Sequence, residues 1–270
     1  MPKRKIRRGR KDAPPAYVVN NPLVNIDPSG RECVWDDGSY DANDDPSTGD
    51  PDKCGAAGGT WIGHDVFANS HYYRGDWSPD ANGTLADLVQ NIQACSAAAG
   101  GGQATSLLVA DAFASGFSND QTAYVLATAK LESGPNTIGQ QMTEFGGRNE
   151  DTYFHRYDGI LGNDNPGDGS TYRGRGYIQI TGKSNYQHWS DELGTNLVQS
   201  PTLAATPDIA AQIAVEGLDV GSFTGVSLYD YVNPGGTDFV NARRAVNGTD
   251  RAQAIANSAT AYQTSLAGCR

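Results

Sequence analysis

Apolar residues recur at helical spacing in five segments of this chain and alternate in a sixth. Thr84 can cap a helix with Leu85, Leu88, Ile92 and Cys95 on one face, ended by Gly100-Gly101-Gly102. A second helix runs through Leu107, Ala110 and Phe113 to Gly116. The third starts near Asn119 or Asp120 and carries "QTAYVLATAKLES" to Gly134, where Pro135 forbids continuation. Thr206 followed by Pro207 reads as a cap with proline at the first helical position, opening "DIAAQIAVEGL". The last helix, after Thr249-Asp250, sets Ala252, Ile255, Ala259, Tyr262 and Leu266 on one stripe. The alternating segment is "YIQIT", residues 177–181. In extended backbone it places Tyr177, Gln179 and Thr181 on one side and Ile178 and Ile180 on the other, which predicts a short strand with one polar face. The rest of the region between the third predicted helix and the one after Thr206 is rich in Gly, Asn, Asp and Tyr. So long a loop-dominated stretch inside a helical domain is functional or disordered.

Composition divides the chain into three parts. Residues 1–15 form a basic arm ending in Pro14-Pro15; residues 16–80 form a turn-dense, loop-rich module; the helical domain occupies 81–270. Residues 1–11 of the arm hold seven of the 20 Lys+Arg and no acid, which leaves the remainder of the chain with 13 basic against 31 acidic residues, a net of −18. Such a body repels phosphate, which argues against a nucleic-acid partner. No apolar run reaches the length of a membrane span, and the arm lacks the apolar segment of a secretory signal. Delivery outside the producing cell would therefore use another route.

The acidic cluster "DANDDPSTGDPD" lacks the glycine and closing glutamate of an EF-hand loop, so no metal is expected there. The four cysteines, Cys33, Cys54, Cys95 and Cys269, contain no CxxC pair, and no cofactor is implied. A Cys33–Cys54 bridge would staple the loop-rich module and require an oxidising place of work; buried free thiols are the alternative, above all for Cys95 on its helix face.

The leading chemical candidate is Glu132, in the last turn of an otherwise apolar helix. The negative end of the helix dipole and apolar neighbours would both favour its protonated form, as a general acid in glycoside cleavage requires. The alternative is an ordinary surface glutamate. A two-acid mechanism needs a second carboxylate; Glu144 in "QQMTEFGG" can fold back toward Glu132, with Glu150 and Asp151 as rivals. Separation by a flexible segment fits an inverting arrangement, with water between the carboxyls. Arg173 and Arg175 can touch substrate or pair with Asp158, Asp168 or Glu144, and His155 and His188 read as structural.

"LATAKLESG" resembles the helix end that bears the catalytic glutamate in glycoside hydrolase family 19, the chitinases and phage-type endolysins. "YRGRGYIQITGKSNY" resembles that family's most distinctive motif, and "YDGILGNDNPGDGSTYRGRG" and "NARRAVNG" are similar to its bacterial and phage members. The resemblance spans roughly residues 105–266. It implies a mainly α, two-lobed, lysozyme-like catalytic domain with a small β-element, monomeric, behind the loop-rich module. It places Glu132 as general acid, Glu144 as general base or substrate-site acid, and Thr181 where a hydroxyl holds the attacking water. Tyr177 and Gln179 share the polar face that the resemblance turns to the cleft, and Asn185, Tyr186 and Asn247 fall on its substrate-binding positions. Two departures stand out. Leu131 replaces a histidine common in the family, and the interval from Glu132 to Glu144 is shorter than in plant-type chitinases.

The implied activity is hydrolysis of β-1,4 linkages in bacterial cell-wall peptidoglycan, as an endolysin or virion-associated lysin. A chitinase is the second reading, and a non-catalytic virion or wall-binding protein that keeps the fold is the third. The polysaccharide is then the partner, with other virion proteins reached through the N-terminal module. The place of work would be the virion, or the host cytoplasm with release to the wall.

Overall fold

The computed structural model describes residues 31–34, 53–54, 57, 60–63, 85–134 and 136–269. The basic arm, most of the loop-rich module, the acidic cluster, Thr84 and Pro135 lie outside the described residues.

Strands β1 (Arg31–Val34) and β2 (Thr60–Gly63) pair antiparallel, with Cys33 opposite Trp61. Cys33 is bridged to Cys54, and both are buried in the main core. The strand β2 packs on α2 (Gln103–Ala114), while Gln93 of α1 (Leu85–Ala98) donates to the Thr60 hydroxyl at 2.8 Å. The described part of the module is thus stapled within itself and docked on the helical body.

Helix α3 (Asn119–Ser133) is the central post. Ser118 caps it through a reciprocal box: its hydroxyl accepts from the Gln121 amide at 3.2 Å, and Gln121 Oε1 accepts from the Ser118 amide at 2.9 Å. Every residue from Gln121 to Ala129 is buried, so this helix is enclosed all round and not amphipathic. Its chief partner is α6 (Ala252–Ser265), which lays Ala252, Ile255, Ala256 and Ala259 inward as the stripe predicted. The end of α6 is fastened twice. Asn119 donates to the carbonyls of Leu266 and Cys269, and Cys269 is disulfide-bonded to Cys95 of α1.

Helix α5 (Pro207–Val220) opens on Pro207 and ends at Gly221, which takes the left-handed conformation that favours glycine. Thr206 occupies the cap position, but its hydroxyl donates backward to Leu203 O instead of capping. This helix joins two hydrophobic clusters. Ala210, Ala211, Ala214, Val215 and Leu218 belong to the main core, and Ile213 belongs to a smaller one with Tyr172, Ile180, Tyr186, Trp189 and Leu197. The expected mainly α, two-part architecture is observed.

Two local expectations are corrected. Residues 183–193 form a helix, α4 (Lys183–Leu193), where none was predicted. It buries Tyr186 and Trp189, one turn apart, and stops at left-handed Gly194. Residues 177–181 do not form a strand. Arg175 and Ile180 make a single antiparallel bridge, closing a turn in which Gly176 and Gln179 both have positive φ. Thr143 bridges Arg175 from the other side, so the β-element here is a ribbon of single bridges. Two-residue strands β3 (Val232–Asn233) and β4 (Gly236–Thr237) form a separate hairpin.

Candidate active site

The turn reassigns the side chains that alternation had placed. Tyr177 is buried beside Ile178 and Ile180 and so belongs to the core, not to a polar face. Tyr186 is fully buried. Its hydroxyl donates to Arg173 O at 2.7 Å and accepts from Arg175 Nη1 at 2.7 Å. It fixes the Arg173–Arg175 segment and cannot meet a sugar, contrary to the role the resemblance implied. Burial pushes its hydroxyl up to about 12, with Arg175 opposing. Arg175 is itself buried and donates to Thr171 O, so it is a framework residue. Arg173 pairs with Glu150, one of the two rival second acids, where Asp158, Asp168 or Glu144 was the expected partner. Asp158 pairs with His155 and Asp168 with Lys183.

Gln179 lies beside Glu144 at Gly174. It is one of three non-glycine residues among those described with positive φ, at 59°; the others are Leu161 at 55° and Arg251 at 55°. A left-handed non-glycine residue costs about 1–2 kcal/mol, and such outliers gather at functional sites. Here the side chain offsets part of that cost, because Gln179 Nε2 donates to Gly176 O at 2.7 Å. The Thr181 hydroxyl donates to Gln179 O at 3.0 Å, and Asn185 donates to Thr181 O at 2.7 Å. Leu161 packs against Gly182, where no Cβ would fit. Asn247 is exposed, and its side-chain oxygen accepts from the Gly248 amide.

Glu144 is held on both oxygens. Oε1 accepts from the hydroxyls of Tyr153 at 3.2 Å and Tyr157 at 3.1 Å; Oε2 accepts from the Gly174 amide at 3.1 Å. Its own amide donates to Gly174 O at 2.8 Å, so backbone and side chain are fixed to one glycine. A Cβ on Gly174 would lie 3.0 Å from Gln179 Oε1 and 3.2 Å from Glu144 Oε2; these two oxygens share the glycine's bare face. Burial, and then the charge of Glu144, push the Tyr157 hydroxyl up to about 12. The tyrosine pair was not found from the sequence, although its four-residue spacing in "TYFHRY" was a signal of two hydroxyls on one face.

Glu132 has different surroundings from those the sequence suggested. Its carboxylate faces two arginines, not an apolar pocket. Arg243 Nη1 lies 2.6 Å from Oε1 as an ion pair outside hydrogen-bond geometry, and Arg251 Nη2 donates to Oε2 at 3.1 Å. Arg243 is buried and donates from Nε to Asp250 O; Arg251 reaches the helix-ending carbonyl of Leu131 at 3.4 Å. A cation there complements the end of the dipole. The Leu131 side chain packs on the main core. The Glu132 side chain keeps 12% exposure, accessible without lying in bulk solvent.

One short segment connects the two acids. After α3 the Gly139 amide donates to the Ser133 hydroxyl at 2.9 Å, and the Gln141 amide returns to Ser133 O. Met142 O then accepts from the Gly176 amide, and Thr143 bridges Arg175. Gln179 Nε2 also lies 3.4 Å from Gln141 O. Glu144 and Gln179 therefore meet at Gly174, with Thr181 bonded to the Gln179 carbonyl. Glu132 is linked to them through the backbone after α3 and turns its carboxylate to Arg243 and Arg251, whereas Tyr177 and Tyr186 are withdrawn into the core. Among the described residues no group of His, Cys, Asp and Glu stands where it could hold a metal, and no helix is long and apolar enough to cross a membrane.

No family model matches the chain, and none of the curated proteins matches it. Among solved structures it is similar to chitinase C from Streptomyces griseus HUT6037, at 21% identity over 70% of this chain and 88% of that one, with a TM-score of 0.44. A mutant of chitinase C is similar over the same shares, at 21% identity and a TM-score of 0.44.

Proposed function

We propose that this protein is a glycan hydrolase acting on β-1,4-linked amino-sugar polymers, with bacterial peptidoglycan as the substrate and chitin as the second choice. The observation that carries the reading is the pair Glu132 and Glu144, set at the two ends of a segment whose backbone is bonded to the Gly174–Gln179 turn. Among the described residues Glu144 accepts three hydrogen bonds and makes no ion pair, as suits a general base that takes a proton from water. Glu132 is the acid in this reading, and proton delivery from it requires Arg251, the more exposed of its two partners, to give way when substrate enters. Water attacking from the Glu144 side inverts the anomeric centre. Peptidoglycan is preferred because the "YDGILGNDNPGDGSTYRGRG" and "NARRAVNG" segments resemble bacterial and phage sequences. Work at a cell wall, in or released from a virion, is consistent with two disulfides, which persist in oxidising surroundings.

The test is digestion of purified peptidoglycan and of chitin oligomers, with products identified by mass. New reducing ends from the wild type, lost in Glu144→Gln, support the reading. The double arginine contact on Glu132 favours a second reading, a wall-binding protein that keeps the site without turnover. Tight binding of either polymer with no product from the wild type would establish that one.

A further inference from the structure

Glu144 presents an asymmetric carboxylate. Two hydroxyls, from Tyr153 and Tyr157, converge on Oε1, matching in number the two hydrogen bonds a carboxylate oxygen accepts. Among the described residues Oε2 accepts only the Gly174 amide, and it is this oxygen that shares the bare face of Gly174 with Gln179 Oε1. One lone pair of Oε2 thus remains free, beside a second acceptor suited to a water or sugar hydroxyl.

The tyrosines are themselves braced. Tyr153 packs edge-on against buried Phe154 at 5.0 Å, and the Arg156 guanidinium lies 3.5 Å over the Tyr153 ring and 6.0 Å over that of Tyr157. Asn163 holds Tyr157 O at 2.9 Å. Arg173, stacked 4.2 Å over Phe154 and paired with Glu150, closes the other side. The charged and titratable groups around Glu144 are therefore Tyr153, Arg156 and Tyr157 from two consecutive short helical turns, Arg173 and Arg175 flanking Gly174, Glu150 bound by Arg173, and Tyr186 behind them.

We infer that Tyr153 and Tyr157 are positioning residues that immobilise Oε1 of Glu144 and leave Oε2 as the oxygen that receives the proton from the attacking water. The inference rests on the hydrolytic reading above and names which atom works and what selects it. The step balances: water loses one proton to Oε2 and its oxygen bonds to the anomeric carbon, while the bond from that carbon to the glycosidic oxygen breaks and the leaving oxygen takes a proton from the general acid.

The test is a carboxyl-carbon NMR titration of the full chain, with the Glu144 signal assigned by its loss in Glu144→Gln. It is run on the wild type, Tyr153→Phe, Tyr157→Phe and the double variant, beside their pH–rate profiles on chitin oligomers. Phenylalanine keeps the ring packing and removes only the donor. Losing donors to the ionised form raises its proton affinity, so the Glu144 midpoint should move up by about 1 pH unit in the double variant. The acidic limb of kcat/KM should move the same way, with KM nearly unchanged. A midpoint unmoved in the double variant overturns the inference even if the protein cuts glycans. A rate lowered equally at every pH, with no movement of the limb, also overturns it and assigns the tyrosines to structure alone. A wild type that turns over nothing sinks the hydrolytic reading and the working-oxygen assignment with it, while the NMR midpoint still reports separately whether the tyrosines hold Glu144.

Discussion

Arg243, buried in the short 3-10 segment Asn241–Ala245 that precedes α6, lies 2.6 Å from Glu132 at the end of α3, and Arg251 approaches the same carboxylate from the exposed side. The two arginines differ sharply in burial, at 1% and 46% side-chain exposure, and so should differ in energetic weight. Arg243→Ala leaves the Glu132 charge short of its buried partner, and Glu132→Gln leaves Arg243 unpaired. Each should lower the unfolding free energy by roughly 3–5 kcal/mol. Arg251→Ala should cost less than about 1 kcal/mol, because an exposed pair is weak. Denaturant unfolding of the three variants checks the order. Activity of Glu132→Gln has to be normalised to its folded fraction.

Gly174 is a steric prediction. A methyl group there would sit 3.0 Å from Gln179 Oε1 and 3.2 Å from Glu144 Oε2, displacing both from their present positions. Displacements of this size in a catalytic group typically lower rates by about 10- to 100-fold. Gly174→Ala should therefore reduce kcat by that order while melting near the wild-type temperature. Initial rates on chitin oligomers and a thermal melt decide it.

The disulfides should contribute unequally. Cys95–Cys269 spans 174 residues and Cys33–Cys54 spans 21. In the chain-entropy account the longer closure stabilises by about 5 kcal/mol and the shorter by about 3 kcal/mol. Paired serine substitutions, compared by urea unfolding, should rank in that order. Reduction should also free the end of α6, whose other end presents Arg251 to Glu132.

Tyr157 and Tyr186 both have hydroxyls pushed up to about 12, chiefly by burial. A proton held more tightly in the folded chain stabilises it fully below the ordinary tyrosine value near 10. That contribution is lost as pH rises from about 10 to about 12, where the unfolded chain releases the proton first. Unfolding measured across this interval should show stability falling with pH. Tyr157→Phe and Tyr186→Phe should each flatten the fall.

Much of the frame was legible in the sequence because it depends on local signals. The stripe Ala252–Ile255–Ala259 and the Thr206-Pro207 start each sit where periodicity and proline put them. Helix α4 was overlooked although Tyr186, Trp189 and Leu193 have helical spacing, since polar residues fill the positions between them. The run 177–181 misled for another reason. Five alternating residues describe a strand and a tight turn equally, and the left-handed φ of Gln179 is not encoded by polarity. Glu132 and Glu144 were visible as candidate acids, but their partners were not. Arg243 and Arg251 come from far along the chain, and the Tyr153–Tyr157 clamp depends on how the loop after Glu144 folds back. Long-range ion pairs and the Cys95–Cys269 bridge leave no periodic trace.

The most direct measurement is the fate of β-1,4-linked substrate, followed by proton NMR at the anomeric carbon while mass spectrometry counts fragments. The account predicts fragments from the wild type whose new reducing ends appear first as the inverted α-anomer, and none from Glu144→Gln at equal folded concentration. Products of retained configuration, or unchanged cleavage by Glu144→Gln, would contradict it.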